Sequence, residues 1–388
     1  MINADFGHNG KPRICFVAHN AYGALAGKDT GHIGGIERQQ SLMARWLAKR
    51  GYKVSMITWD EGQEDRIEIH GVRVFKMCRR DAGIKGLRFF WPGWYSLNET
   101  MERADADIYY QNCGGYETGQ VVLWCRRHGR KSVYSVASEP DCDPKLPVLK
   151  PRRDRILYRY GLRHADRIVV QTHKQQKMLR DGFGIDATMI PMPCSGFSPP
   201  KHTRLNASCW KSLQVLWVGR ISKEKRLEWL LDVAERCPEI TFDVVGAANT
   251  YSNYALELIR RAASIPNVTM HGRILHAEMA VYYGRSKVLC CTSSYEGFPN
   301  TFLEAWSCGI PVVSTFDPDN VITKHNLGRI ASSTDELVSA IQESINKPKR
   351  WQAASDSARE YFLKNHIPDS CMRQFAQVFQ DISGSNYL

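Results

Sequence analysis

Two glutamates and two bases, in separate segments of a 388-residue sequence, are the side chains whose types and spacing point to chemistry. Glu296 and Glu304, with seven residues between them, stand in SSYEGFPNTFLEAWSCGIP, where a turn leads into a helix. A carboxylate accepts two hydrogen bonds at once, which suits the vicinal hydroxyls of a ribose or a neutral sugar. Arg220 and Lys225 stand in LQVLWVGRISKEKRLEWLL, again at a strand-to-helix turn. Two full positive charges beside unpaired helix-start amides would stabilise the charge growing on a departing diphosphate. Backbone amides around Phe298, Asn300 and Thr301 would meet a donor's sugar and phosphate, whereas Pro299 has no N–H. Plainer readings exist. Thr301 and Glu304 fit a capping box, Glu296 a loop carboxylate, and the two bases a solvated turn. The turn lacks the glycine spacing of a P-loop or a dinucleotide fingerprint.

Positioning these groups requires strands that end where helices begin. Short β-branched runs bounded by Gly, Asp or Asn alternate with amphipathic stretches, the pattern of a parallel sheet covered on both faces. In the first half the predicted strands are Arg13–Ala18, Lys53–Thr58, Ile108–Tyr110, Ser132–Val136 and Arg167–Gln171, with a helix over Gly35–Arg50. The segment Pro191–Lys211 is rich in Pro and Ser and reads as a linker. The pattern then restarts with Leu213–Val218, Thr241–Val245, Val268–Met270, Val288–Thr292 and Val312–Ser314. A helix over Lys349–Lys364 must break at Ile367 and Pro368, and a last one over Asp369–Ile382 is expected to cross back to the first domain. The expected layout is therefore a first domain over 1–195, a linker over 196–211, a second domain over 212–365 and a returning helix within 366–388.

Composition sets outer limits. With 43% hydrophobic and 24% charged residues the chain is globular and long enough for two cores. Met1–Pro12 lacks the apolar core of a signal peptide and no later stretch approaches a membrane span, so a cytoplasmic protein is expected. The 12 cysteines show no metal-ligand or CxxC spacing and read as reduced thiols. A net charge of +12 calls for an anionic partner: a nucleotide, a phosphorylated lipid, a membrane face or a nucleic acid. Arg155, Arg159 and Arg163 would form a basic stripe on a helix. Lys85, Arg88, Phe89, Phe90, Trp91, Trp94 and Tyr95 form an aromatic–basic cluster suited to a lipid headgroup layer or, alternatively, to packing the first domain's core. Aspartates alternate at Asp105–Asp107, Asp141–Asp143 and Asp317–Asp319, but such pairs arise readily in loops.

Taken together, the sequence resembles the retaining glycosyltransferases of family 4, which have the GT-B fold. The resemblance rests on the E-x7-E motif in EGFPNTFLE, on EAWSCGIPVVST, VLWVGRISKEKRLEWLLDVAE, VTMHGRI, ADRIVVQT with MIPMP, and HIGGIERQQSLMARWLAKRGYKVSMIT. It implies an α/β fold of two Rossmann-like parallel-sheet domains facing a cleft. It implies that Arg220 and Lys225 bind the donor diphosphate, that Glu304 holds the ribose, and that Glu296 contacts the transferred sugar. Arg273 and Ile274 would lie near the base, and Gly34 and Gly35 would let a first-domain loop approach the donor phosphates. A histidine common in the family after a first-domain strand is replaced in VYSVASEPDCD by Ala137 or Ser138. Glu139 and Asp141 are the acidic candidates for a compensating acceptor-side role.

The resulting expectation is a retaining transfer from a nucleotide-sugar, UDP-linked rather than GDP-linked, to a saccharide or lipid-linked saccharide. No cofactor and no metal are expected, because the two bases supply the phosphate's countercharge. Peripheral contact with an anionic membrane at its cytoplasmic face is expected, and no nucleic acid, since no recognition helix, zinc knuckle or RNA-binding motif accompanies the charge. The rival readings are a nucleotide-sugar epimerase or phosphorylase of the same architecture and a basic nucleic-acid-binding protein.

Overall fold

The computed structural model describes residues 10–31, 34–197, 214–248 and 252–384. Most of the expected linker, from residue 198 onward, lies outside these residues, as do His32 and Ile33 of the HIGGIER segment. The chain forms two compact units, one comprising Met1–Pro193 with Pro368–Leu388 and the other Cys194–Ile367.

The first unit is built on eight strands: β1 (Ile14–Val17), β2 (Val54–Thr58), β3 (Ile67–Ile69), β4 (Val72–Lys76), β5 (Ile108–Asn112), β6 (Lys131–Ser135), β7 (Arg167–Val170) and β8 (Thr188–Met189). They lie in the order β3-β4-β2-β1-β5-β6-β7-β8, parallel except for β3 against β4. Every residue of β1, β2 and β5 is buried, as expected for strands covered on both faces. The cover comes from α1 (Tyr22–Ala26), α2 (Gly35–Lys49), α3 (Tyr95–Ala104), α4 (Tyr116–Arg127), α5 (Arg152–His164) and α6 (His173–Phe183). α4 and α5 meet through glycines: a Cβ on Gly119 would fall 2.2 Å from the Leu157 carbonyl oxygen, and one on Gly161 2.8 Å from the Thr118 carbonyl carbon. Only bare backbone permits that approach.

The second unit has six strands, β9 (Gln214–Val218), β10 (Thr241–Val245), β11 (Val268–Gly272), β12 (Val288–Cys291), β13 (Val312–Ser314) and β14 (Gly328–Ile330), in the order β11-β10-β9-β12-β13-β14. All are parallel. Around them lie α7 (Leu227–Arg236), α8 (Asn253–Ala263), α9 (Met279–Arg285), α10 (Asn300–Ser307), α11 (Val321–His325), α12 (Thr334–Asn346) and α13 (Pro348–Asn365). In each sheet the chain runs outward on one side, then returns to build the other. The reversal falls between β1 and β5 in the first unit and between β9 and β12 in the second, and ligands of open α/β sheets bind beyond the strand ends at such points.

The last helix, α14 (Pro368–Ser383), starts on the proline that ends the preceding segment. Its Met372, Phe375, Val378 and Phe379 pack in the first unit's core with Ile14, Tyr110 and Val133. At its start Asp369 accepts a hydrogen bond of 2.7 Å from Trp46 Nε1.

The predicted strands correspond to observed ones within a residue or two at each end. Three pieces of sheet were not anticipated. β3 and β4 form a hairpin whose turn, His70 and Gly71, adopts positive φ at both residues, and β8 and β14 are too short to leave a pattern.

Candidate functional site

In the second unit β9 and β12 are hydrogen-bonded neighbours, so the turn after one and the loop after the other emerge side by side. Arg226, in the left-handed region at φ 47°, fastens them together. Its guanidinium donates to the carbonyls of Thr292 at 2.7 Å and Ser293 at 3.1 Å and to Thr315 Oγ1 at 2.9 Å. Thr292 Oγ1 returns a bond of 2.6 Å to the Lys225 carbonyl, and the Ser294 amide one of 2.8 Å to that of Glu224.

This seam brings two of the sequence candidates into contact: Lys225 Nζ bonds to Glu296 Oε1. Their side chains are only 22% and 16% exposed, and Ser293 Oγ donates a further 2.6 Å bond to the same carboxylate oxygen. Burial pulls the Lys225 pKa down, but the attraction of Glu296 outweighs it and the net shift is upward, so the ammonium stays charged. Arg220 is more open, 59% exposed, with Glu224 at 3.4 Å. The turn differs from expectation in one respect. The amides of Gly219, Ile221 and Lys225 are bonded to the carbonyls of Val245, Ala247 and Ser222, so the turn offers cationic side chains more than bare N–H groups.

Glu304 lies one turn into α10, 4% exposed. One carboxylate oxygen accepts from Tyr283 OH at 2.7 Å and the other lies 3.0 Å from His276 Nε2. Phe197 stacks on Tyr283 with ring centroids 5.3 Å apart and meets His276 in a tilted contact at 4.8 Å. The capping-box alternative is thereby corrected. α10 follows Pro299 with no side-chain cap, because Glu304 turns to α9. Asn300 and Thr301 occupy the first turn of α10, whose amides lack partners within the helix. Phe298 is buried against Trp306 and His366, a core contact that leaves only its backbone for a ligand. Arg273 is exposed and Ile274 half-buried just beyond β11. His276, Tyr283 and Arg226 escaped sequence reasoning. Their roles come from the meeting of distant segments, and no spacing relative to Glu304 or Glu296 announces them.

The remaining candidates belong to the first unit. Gly34 precedes α2 in extended backbone and donates its amide to Glu37 Oε2 at 2.8 Å; Gly35 opens the helix. Glu139 pairs with Lys174 at 2.8 Å. Asp141 is buried and accepts from the amides of Ala137 and Ser138 at 3.2 and 3.1 Å, the work of a loop-fixing carboxylate. Burial nonetheless leaves its pKa raised. Of the alternating aspartates, Asp105 and Asp107 are bound by Arg13 and Arg130, and Asp317 accepts from the amides of Ile322 and Thr323. The core-packing reading of the aromatic cluster is overturned. No residue of Phe89–Trp94 is buried, and Phe90, Trp91 and Tyr95 are 58, 61 and 53% exposed.

Two family models match the chain, one for each sheet. A glycosyl transferase 4-like domain spans residues 34–193 and a glycosyl transferases group 1 domain residues 212–347. The chain carries two domains of the GT-B fold, each matched by a glycosyl transferase model.

Solved structures show the same fold. Sucrose-phosphate synthase from Thermosynechococcus elongatus superposes with a TM-score of 0.80 at 21% identity, covering 97% of this chain and 100% of that one. Anabaena HepE in complex with UDP-glucose gives 0.73 at 16% identity over 95% and 100%. Among curated proteins, the GtfA subunit of the UDP-N-acetylglucosamine–peptide N-acetylglucosaminyltransferase of Streptococcus parasanguinis is 23% identical over 55% of this chain and 42% of its own length. The D-inositol 3-phosphate glycosyltransferase of Rhodococcus erythropolis is 22% identical over 96% and 92%. The chain thus spans 42 and 48% of the length of the Streptococcus parasanguinis and Streptococcus pneumoniae relatives it matches. Among its described residues no helix is long and apolar enough to cross a membrane.

Proposed function

We propose that the chain is a retaining hexosyltransferase of family 4 that uses a UDP-sugar and delivers the sugar to a saccharide or lipid-linked saccharide during polysaccharide or glycoconjugate synthesis. The observation that carries this reading is the Lys225–Glu296 pair at the β9/β12 reversal, with Arg220 on the turn after β9 and Glu304 in α10. The donor diphosphate takes Lys225 and Arg220 as counter-charges, and its ribose exchanges with His276 or Tyr283 for the Glu304 carboxylate. Released from Lys225, Glu296 is left to accept hydroxyls of the transferred sugar.

In the reaction the acceptor oxygen forms a bond to the anomeric carbon as the bond from that carbon to the β-phosphate oxygen breaks. The electron pair leaves with UDP, and the acceptor proton passes to a phosphate oxygen on the same face. No protein nucleophile is needed, and anomeric configuration is retained. The charge on the leaving diphosphate is met by the two bases, so turnover proceeds without a metal; activity lost in chelator and restored by manganese or magnesium would refute that. A UDP-linked donor is favoured because HepE is described with UDP-glucose and the streptococcal relatives are named for UDP-N-acetylglucosamine.

A melting screen against UDP- and GDP-sugars tests the reading. A UDP-sugar should raise Tm as a ligand of the native state alone, whereas no response to any nucleotide-sugar would overturn it. The exposed Phe90, Trp91 and Tyr95, beside Lys85 and Arg88, are proposed to rest on an anionic membrane surface, as expected at its cytoplasmic face. Flotation with anionic but not neutral vesicles is the expected result.

A further inference from the structure

The first unit holds a cavity of about 340 Å³, within the range of small-molecule sites. It lies at that unit's own reversal point: His19 and Asn20 follow β1, and Tyr116 and Glu117 open α4 just after β5. Neither Glu139 nor Asp141 lines it.

Its charge is one-sided. Arg79, Arg80, Arg88 and Arg153 contribute to the wall, against Glu117 as the one lining carboxylate. Arg79 is offset by Asp81 and Arg153 by Asp154, but neither Arg80 nor Arg88 forms an ion pair among the described residues. Gathering four guanidinium groups costs repulsion that a bound anion would relieve. Burial raises the pKa of Glu117. Burial, then the charge of Arg80, lowers His19 to a pKa of about 4, so its ring is neutral at pH 7.

The cationic groups are also set in place. The Arg153 guanidinium stacks 3.5 Å from the centroid of Phe89 while its Nε donates to Asp154 at 2.9 Å, which fixes the plane of the fork. Deeper in, His19 Nε2 and Asn20 Oδ1 are buried and have no hydrogen-bond partner among the described residues. Unpaired polar atoms in a cavity wall are costly unless a ligand completes them. Trp94 and Phe89 give the flat apolar surface against which a pyranose ring packs.

We propose that this cavity binds a phosphorylated saccharide acceptor, its phosphoryl group held by Arg88 and Arg153 and its hydroxyls by His19 and Asn20. The inference rests on the transferase reading above and specifies its acceptor as anionic. The same phosphoryl chemistry is offered by a soluble sugar phosphate and by a polyprenyl-diphosphate-linked sugar.

Calorimetry on the full chain, with UDP saturating so that the second unit's bases are occupied, tests it. The probes are N-acetylglucosamine 1-phosphate, neutral N-acetylglucosamine, and phosphatidylcholine vesicles with or without a polyprenyl diphosphate. The phosphorylated probes should bind at least about tenfold tighter than the neutral sugar. Arg88→Gln and Arg153→Gln should each weaken them about tenfold, with UDP affinity unchanged in both and Tm unchanged in Arg88→Gln. Arg88 is exposed and makes no ion pair among the described residues, so its variant keeps the test clear of misfolding. Preference for the soluble probe assigns a free sugar phosphate, and preference for the vesicle-borne one a lipid-linked acceptor. Equal binding of neutral and phosphorylated sugars, no binding of either phosphorylated probe, or affinity indifferent to both substitutions would overturn the proposal. Failure of UDP itself to bind, with the sugar phosphate still sensitive to Arg88→Gln, would remove the donor reading and leave this site standing.

Discussion

At the scale of single residues, the Lys225–Glu296 contact is the most consequential pairing, and its removal separates two roles. Lys225→Met leaves Glu296 mostly buried with Ser293 as its remaining partner, which by itself costs stability. In steady-state assays the variant should lose about a hundredfold or more in kcat/KM, as when a transition-state charge partner is deleted. Glu304→Gln keeps the shape of its pocket but cannot accept from Tyr283 and a ribose with full negative charge. It should weaken UDP binding about tenfold by calorimetry, while an unchanged affinity would detach Glu304 from the donor. His19 supplies a pH test. Its folded pKa of about 4 lies below the ordinary 6.5, so the native state disfavours its proton. The associated stability is complete above pH 6.5 and is lost as pH falls toward 4, at most about 3 kcal/mol. Thermal melts of His19→Asn should lack that part of the acid slope.

At the scale of elements, the two strand-to-helix turns were readable from their residues, whereas the bonds between them were not. LQVLWVGR and KVLCCTSS each show a buried strand stopping at a polar turn, and Glu296, Glu304, Arg220 and Lys225 follow from the motif alone. The sequence holds no sign that Arg226 would fold back onto Thr292, or that Tyr283 and His276 would claim Glu304. The Arg226 contact depends on β9 and β12 becoming neighbours although about seventy residues separate them along the chain, and the Glu304 contacts on segments 21 and 28 residues away. For a related reason, proximity to the motif does not decide where the Phe298 ring points; it packs in the core and leaves the expected backbone contact open. The α4–α5 pair makes an independent prediction. Gly161→Ala places a methyl group against the Thr118 backbone, which cannot swing aside as a side chain can. Destabilisation of about 1–3 kcal/mol is expected in denaturant titration, and a neutral result would show that the helices can part.

At the scale of the whole molecule, the first unit's sheet is completed by residues that follow the second unit in the chain. α14 contributes Met372, Phe375, Val378 and Phe379 to a core otherwise made of residues before Pro193. Truncation before Pro368 should therefore strip the first unit of one wall and cause its aggregation or early melting. The transition of the second unit, contiguous from Cys194 to Ile367, should stay in place by calorimetry. A single unaltered transition in the truncated chain would contradict this division.

That arrangement also has a bearing on biosynthesis. A nascent polypeptide emerging from the ribosome can close its second sheet as soon as that stretch is out, but the half translated earliest must wait for α14, translated after residue 367. During the interval the apolar faces of β1 and β5 stand uncovered on the side α14 will occupy. The amino-terminal half is thus the segment on which a chaperone would act longest, and synthesis stalled just short of α14 would leave it the sticky part of the chain.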